Sequence, residues 1–324
     1  MKIIIPMAGK GTRLRPHTLT TPKALVELAG KPMLAHVLDR IKVLKPKEAI
    51  FVVDERNHQL ESYLNKNYPF KSKFVVQKER KGAGHAIYQT KEVFGSKDKV
   101  FVIFADTLIE ADLSSVKTRS DGVIWTKKVE DPSNYGIVHT EKNYVVQLIE
   151  KPEVPTSDQA IVGMYFFKDS DMLFRSLTYI IENEIVSKGE YQITDAIQYM
   201  INQGAKIRTS PVNIWQDCGT TQMLLDANKY LLKKSNIKSK PTTSVIIPPC
   251  HISDGVKIKD SIIGPNVSVG KDSVIVGSIV KNSIIGRESK LKEVNMDESI
   301  VGNSSEVIGT FKSISIGDYS KMRS

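Results

Sequence analysis

The chain has 324 residues, 40% hydrophobic and 25% charged, with two cysteines and a formal net charge of +10. That length accommodates one large domain and a smaller one, and the composition is ordinary for a soluble globular protein. Cys218 and Cys250 show no CxxC spacing, which excludes a disulfide framework and a zinc site. No apolar run approaches the roughly eighteen residues of a membrane helix, the longest clean one being Val100 to Ala105. Lys2 leads into a strand pattern rather than a signal peptide, so a cytoplasmic protein with no membrane partner is expected. The positive charge is scattered, without a basic stripe and interleaved aromatics, which argues against nucleic acid as a partner. The exception, Lys229 to Lys240, reads as a solvated linker.

The first predicted element is a β-branched strand, Lys2 to Pro6, running into a glycine-bearing turn. Ala8, Gly9 and Gly11 lack bulk, so backbone N–H groups can approach an anion closely. Arg13 can grip phosphate oxygens at two points, and Lys23 can act as a point charge on another phosphate. This is the chemistry of a triphosphate site. A dinucleotide fingerprint fails because Leu14 stands where the third glycine belongs. A Walker A loop fails because Gly9-Lys10-Gly11-Thr12 lacks the terminal Gly-Lys-Ser/Thr. The whole string resembles the signature of the sugar-1-phosphate nucleotidylyltransferases. Gly9, Gly11, Thr12, Arg13, Leu14, Pro16, Thr18, Pro22 and Lys23 fill its fixed positions, and Val26 to Leu34 match its continuation.

Helix and strand patterns then alternate. Leu34, Val37, Leu38, Ile41 and Leu44 form a helical stripe that reads as core packing. Further strands are predicted at Ala49–Val53, Phe74–Gln77, Lys99–Ala105 and Gly122–Thr126. Phe101 to Phe104 is apolar on both faces, as a central strand covered by helices would be. The alternation predicts an α/β layer fold with ligands at the C-terminal ends of strands.

Several segments within this region match the family. Gln77 offers a donor and an acceptor to a pyrimidine edge, and Gly82 lets backbone reach the base. The resemblance implies that this pair holds the base, with His85 in a packing role. Asp106 ends a central strand and Asp217 lies in Trp215-Gln-Asp217-Cys-Gly219-Thr220. The family uses these two aspartates for Mg²⁺, a metal that shares few carboxylates with substrate phosphates. One departure is Ala105, where the family commonly has glycine. Gly136, Glu150, Lys151 and Gly163 match sugar-phosphate segments. A carboxylate at Glu150 suits sugar hydroxyls, and Lys151 suits the acceptor phosphate. Ile161 stands where many members carry asparagine. Thr194 is expected as the N-cap of a helix.

After residue 241 helical periodicity vanishes. Asp260 to Gly264, Asn282 to Gly286, Glu298 to Gly302 and Ser313 to Gly317 are copies of one unit, starting 22, 16 and 15 residues apart. Six-residue units begin at Ile263, Val269, Ile285, Val301 and Ile316. Hexapeptide periodicity predicts a parallel β-helix of about four imperfect coils, and the pattern resembles the left-handed form found in the hexapeptide family.

The expected architecture is therefore α/β: a Rossmann-like nucleotidyltransferase domain with a mixed, mostly parallel sheet over 1–235, a linker over 236–241, and a short left-handed parallel β-helix over 242–324. The resemblance implies transfer of a nucleoside monophosphate from a pyrimidine triphosphate, dTTP or UTP, to a sugar 1-phosphate such as glucose 1-phosphate. Arg13 and Lys23 carry the catalysis, Ala8, Gly9, Gly11 and Thr12 line the nucleotide, and a homo-oligomer is expected. Three rivals are a non-catalytic paralogue, a bifunctional enzyme with an acyltransferase β-helix, and a nucleic-acid binder. The first conflicts with retention of Arg13, Lys23 and both aspartates. The second has only His251 to offer as a base after residue 235.

Overall fold

The computed structural model describes residues 1–54, 58–233, 243–309 and 313–323. The expected 236–241 linker lies outside the described residues. The chain forms two compact units: Met1–Gly9 with Asp39–Trp215, and Lys10–Leu38 with Gln216–Ser324. The second unit thus groups Arg13 and Lys23 with the C-terminal repeats. Among the described residues no helix is long and apolar enough to cross a membrane.

The first unit is built on a mixed ten-stranded sheet. Its order is Lys71–Val76, Glu48–Val53, Lys2–Pro6, Val100–Ile103, Gln159–Phe167, Gly122–Lys128, Ile207–Asp217 and Thr107–Ala111, with a hairpin of Ile137–Glu141 and Tyr144–Ile149 at the side. The first four strands are parallel, and Gln159–Phe167 runs antiparallel to both its neighbours. Ile3, Ile4, Ile5, Phe51, Phe101 and Trp125 are fully buried. Each such side chain contributes about 1.5–3 kcal/mol through burial. That is why these short runs are apolar on both faces. The helices Ser170–Glu182 and Ile193–Asn202 cover part of the sheet, with Leu173, Leu177, Ala196 and Ile197 in its core. Asp169 starts the first of them by accepting the Asp171 N–H at 2.8 Å.

The predicted strands are all present, Lys2–Pro6 with its expected ends and the others with shifted ones. Lys99–Ala105 contracts to Val100–Ile103, and Phe74–Gln77 extends back to Lys71 and stops at Val76. The stripe at 34–44 forms the helix Met33–Ile41 and a 3₁₀ turn, Lys42–Leu44.

In the second unit the repeats form three parallel sheets. One contains Val245–Ile246, Ile262–Ile263, Ile279–Val280 and Asn295–Met296. The other two have five strands each, one running from Cys250–Ile252 to Ser315–Ile316 and the other from Lys257–Lys259 to Lys321–Arg323. This is a short β-helix whose longer faces hold one strand more than the four coils expected. Ile263, Val267, Ile275, Val280, Leu291 and Val307 fill its interior.

The irregular spacing now has a physical reason. Paired strands are offset by 17 residues at first (Val245 to Ile262), then 16 (Val274 to Lys290), then 15 (Ile300 to Ser315). The 22-residue step joins copies on different faces: Ile262 pairs with Ile279, whereas Ile284 pairs with Ile300. Two ladders stitch the coils. A Cβ on Gly286 would meet the Gly302 carbonyl carbon at 2.6 Å, and one on Gly302 would meet that of Gly317 at 2.3 Å. Buried serines bridge successive coils, as where Ser273 Oγ accepts the Ser289 N–H and Ser289 Oγ that of Ser305. These bonds satisfy buried backbone donors at the corners, where the ladder pairing is interrupted.

Candidate active site

In the first unit the predicted residues gather at strand C-terminal ends. Lys2–Pro6 leads to Ala8 and Gly9, Lys71–Val76 to Gln77, and Val100–Ile103 to Asp106. Arg80, which the sequence reading did not single out, joins the first two. Its Nε donates to the Ala8 carbonyl at 2.9 Å, and its Nη2 lies 2.6 Å from Asp54 Oδ2. Only an arginine between two predicted binding residues hinted at this in sequence. Gln77 is buried, 3% exposed, and its Nε2 donates to the Gly82 carbonyl at 3.2 Å. The predicted base pair of residues is therefore in direct contact. Gly82 has φ +104, and a Cβ there would lie 2.7 Å from the Tyr191 carbonyl oxygen. Only glycine fits that place.

A second cluster contains Gly136, Glu150, Lys151 and Thr194. The Thr194 hydroxyl donates to Glu150 Oε2 at 3.0 Å, and Lys151 Nζ lies 3.8 Å from Oε1. A Cβ on Gly136 would come within 2.9 Å of Glu150 Oε2 and 3.1 Å of Ile161 Cδ1. Ile161 thus fills, with an apolar side chain, a place beside the carboxylate. Burial raises the Glu150 pKa; Lys151 and the Thr194 hydroxyl act against it. Thr194 differs from expectation: Gln192 is the N-cap, and Thr194 sits inside the first turn with its hydroxyl committed to Glu150. Burial raises the pKa of the neighbouring Asp195, and its buried Oδ2 has no hydrogen-bond partner. Trp215 stacks edge-on against Tyr135 at 4.6 Å between ring centroids. Gly163 takes φ +77 at a bulge in Gln159–Phe167, where the Phe104 ring leaves no room for a Cβ.

In the second unit Gly11 takes φ +59 and opens the 3₁₀ turn Thr12–Leu14. Thr18 donates to the Gly11 carbonyl at 2.7 Å, and a Cβ on Gly11 would stand 3.3 Å from Lys23 Cβ. Arg13 is exposed while Lys23 is half-buried. Gly219 brings Arg13 and Asp217 together: its Cβ would lie 2.9 Å from Arg13 Nη2 and 3.1 Å from Asp217 Oδ1. Side chains of the last coils hold the signature segment from behind. Thr20 and Thr21 donate to Asp318 Oδ2, the latter at 3.0 Å, and His17 Nε2 lies 2.9 Å from Ser315 Oγ. Arg287 Nε is 3.6 Å from Glu27 Oε1.

Among the described residues no group of three or more His, Cys, Asp or Glu is gathered to hold a metal.

A family model described as nucleotidyl transferase matches residues 2–234. A bifunctional protein GlmU from Methanocaldococcus jannaschii is 35% identical over 251 residues, covering 76% of this chain. The match spans only 59% of that relative's length. A glucose-1-phosphate thymidylyltransferase from Streptomyces antibioticus is 29% identical over 357 residues, covering 99% of both chains. A crystal structure from Bacillus anthracis, assigned as a glucose-1-phosphate thymidylyltransferase and holding sucrose, superposes with a TM-score of 0.63. It is 24% identical and covers 74% of this chain and 98% of its own, a likeness of fold.

Proposed function

The chain belongs to the nucleotidyl transferase family, and on that premise we propose that it joins a pyrimidine nucleoside triphosphate, dTTP or UTP, to a sugar 1-phosphate, releasing pyrophosphate. Glucose 1-phosphate is the first acceptor to test. The observation that carries the reading is the gathering of Arg13, Asp217 and Gly219 within one unit, where a Gly219 Cβ would stand 2.9 Å from Arg13 Nη2 and 3.1 Å from Asp217 Oδ1. A cation and a carboxylate held together beside a glycine suit a phosphate chain and its metal.

The sugar-phosphate oxygen attacks the α-phosphorus in line. It is already an anion, so no general base is required, and positioning with charge neutralisation does the work. Arg13 faces the β- and γ-phosphates as charge develops on pyrophosphate. Lys23 holds the α-phosphate. Ala8, Gly9, Gly11 and Thr12 line the nucleotide. Gln77 and Gly82 hold the base. Glu150 accepts from sugar hydroxyls, Lys151 takes the acceptor phosphate, and Gly136 and Gly163 allow close backbone approach. Asp106 and Asp217 would supply the carboxylates for a Mg²⁺ ion, which would lower the repulsion between two anions. Residues 1–235 are read as the nucleotidyltransferase domain and 242–324 as the β-helix domain.

The GlmU relative is named bifunctional, which raises a second activity for the coils. His251 is a poor base for it: a Cβ on Gly30 would lie 2.1 Å from its Nε2, and that nitrogen is 3.1 Å from Ser253 Oγ. Its ring is packed rather than presented.

Pyrophosphate release with glucose 1-phosphate, Mg²⁺ and each of dTTP, UTP, CTP, GTP and ATP tests the proposal. Turnover with dTTP or UTP supports it. Preference for a purine keeps the reaction but removes the base assignment. Silence across sugar 1-phosphates sinks it in favour of a non-catalytic paralogue.

A further inference from the structure

The Gln77 amide is fixed from two sides. Its Nε2 lies 3.2 Å from the Gly82 carbonyl and 2.9 Å from His85 Nδ1. The carbonyl can only accept, so the amide must present its NH₂ group there. Nδ1 must then accept as well, which places the imidazole proton on Nε2. That nitrogen lies 3.0 Å from Gln89 Nε2, so a proton on it requires the Gln89 amide, whose nitrogen and oxygen are interchangeable by a half-turn, to present its oxygen there. Both Gln77 amide hydrogens are thereby used, and Oε1 is left as the group Gln77 can offer a base. A lone acceptor takes the N3–H of uracil or thymine and repels the unprotonated N3 of cytosine.

We propose that His85 is a positioning residue that sets the choice of uracil or thymine over cytosine by locking the Gln77 amide with Nε2 inward and Oε1 offered to the base. The inference rests on the reading of Gln77 as the base-facing residue.

The surroundings favour the neutral ring. Burial and the Lys81 ammonium hold the His85 pKa below the ordinary imidazole value, while the Glu79 carboxylate and carbonyl oppose them more weakly. Lys81 and Glu79 pair at 2.5 Å, and the Tyr191 ring lies 6.4 Å from His85 between centroids. Glu190 approaches from the same side, its Cβ 2.7 Å from where a Gly82 Cβ would be. Protonating Nδ1 turns it into a donor, removes one acceptor from Gln77 and frees the amide to turn.

The test is kcat/KM for the preferred pyrimidine triphosphate against CTP, in wild type, His85→Ala and His85→Asn, between pH 5.5 and 8. Asn Oδ1 stands in for an unprotonated Nδ1 and cannot titrate. The Ala variant should lose roughly five- to tenfold of the discrimination, on the scale of one hydrogen bond, mainly through KM. His85→Asn should restore it to within about twofold. Wild-type discrimination should fall toward the acid end, and that of His85→Asn should not. An Ala variant with wild-type discrimination overturns the lock. Should the Ala variant fail to fold, a His85→Phe variant, which fills the ring's place but offers no acceptor, with wild-type discrimination overturns it equally. A wild type that prefers a purine removes the base reading itself, before any variant is compared.

Discussion

The α/β sheet and the β-helix are made from the same aliphatic residues but hold functional segments differently. In the sheet the aliphatic residues are buried on both faces, and polar side chains at strand ends tie loops together: Arg80 to Ala8, Gln77 to Gly82, Thr194 to Glu150. In the β-helix the backbone itself is the close-packed surface, through the Gly286–Gly302–Gly317 column and the serine ladder. Its contribution to the signature segment comes from outward side chains of the last coils, Asp318 and Ser315. Loops at strand ends are therefore sensitive to side-chain deletion as well as to a Cβ at Gly82 or Gly163, whereas along the Gly286–Gly302–Gly317 column the coils are sensitive to side-chain addition.

The largest expected effect lies in the signature. Lys23→Ala should lower kcat by roughly 10²–10³ with unchanged circular dichroism, on the scale of one preorganised donor lost; near-normal turnover removes Lys23 from the mechanism. Next come added side chains. Gly286→Ala should destabilise by about 1–3 kcal/mol or more, because its Cβ meets backbone of the next coil. Gly95→Ala in the first unit, whose nearest neighbour would be Asp98 Oδ2 at 3.8 Å, should be within about 0.5 kcal/mol of wild type. Equal urea midpoints for the two variants would break the comparison. Asp318→Ala should raise KM for the triphosphate by roughly three- to tenfold, since two threonine hydroxyls lose their acceptor. An unchanged KM would detach the last coil from the signature.

The smallest effects are in pH dependence. Burial lowers the His17 pKa against a weaker pull from Asp318, and likewise lowers that of His251 against Asp254. A depressed folded pKa means the unfolded chain binds more protons below the ordinary 6.5, so stability falls as pH drops from there through the folded values. Glu27 has the opposite sign. Burial raises its pKa against the pull of Arg287, so its contribution is full below the ordinary 4.5 and is lost as pH rises through the folded value. Urea midpoints for wild type and His17→Gln should diverge below pH 6.5, the variant falling less steeply. Parallel curves would show that His17 is no more costly to protonate folded than unfolded.

Much of this was legible in sequence because the informative residues obey local rules. The glycine turn after Lys2–Pro6, the doubly apolar Phe101 strand and the hexapeptide units each follow from residue type and spacing. What stayed hidden depends on contacts across long sequence separations. Arg80 reaches Ala8, Asp318 reaches Thr20 and Thr21, and His85 fixes a glutamine eight residues away in a geometry no spacing specifies. Threonine favours the cap position, but Gln192 occupies it and the Thr194 hydroxyl donates to Glu150, a contact 44 residues away in sequence. The coil lengths misled in the same way, since a 22-residue step between similar strings joins two different faces.

The most direct test is the reaction run backward. Wild-type protein is incubated with Mg²⁺, radiolabelled pyrophosphate and dTDP-glucose or UDP-glucose, and label is followed into triphosphate. The account expects labelled dTTP or UTP together with an equal amount of glucose 1-phosphate, and loss of both in Lys23→Ala. Absence of labelled triphosphate from these and from a panel of other nucleotide sugars, with folded protein, would contradict it.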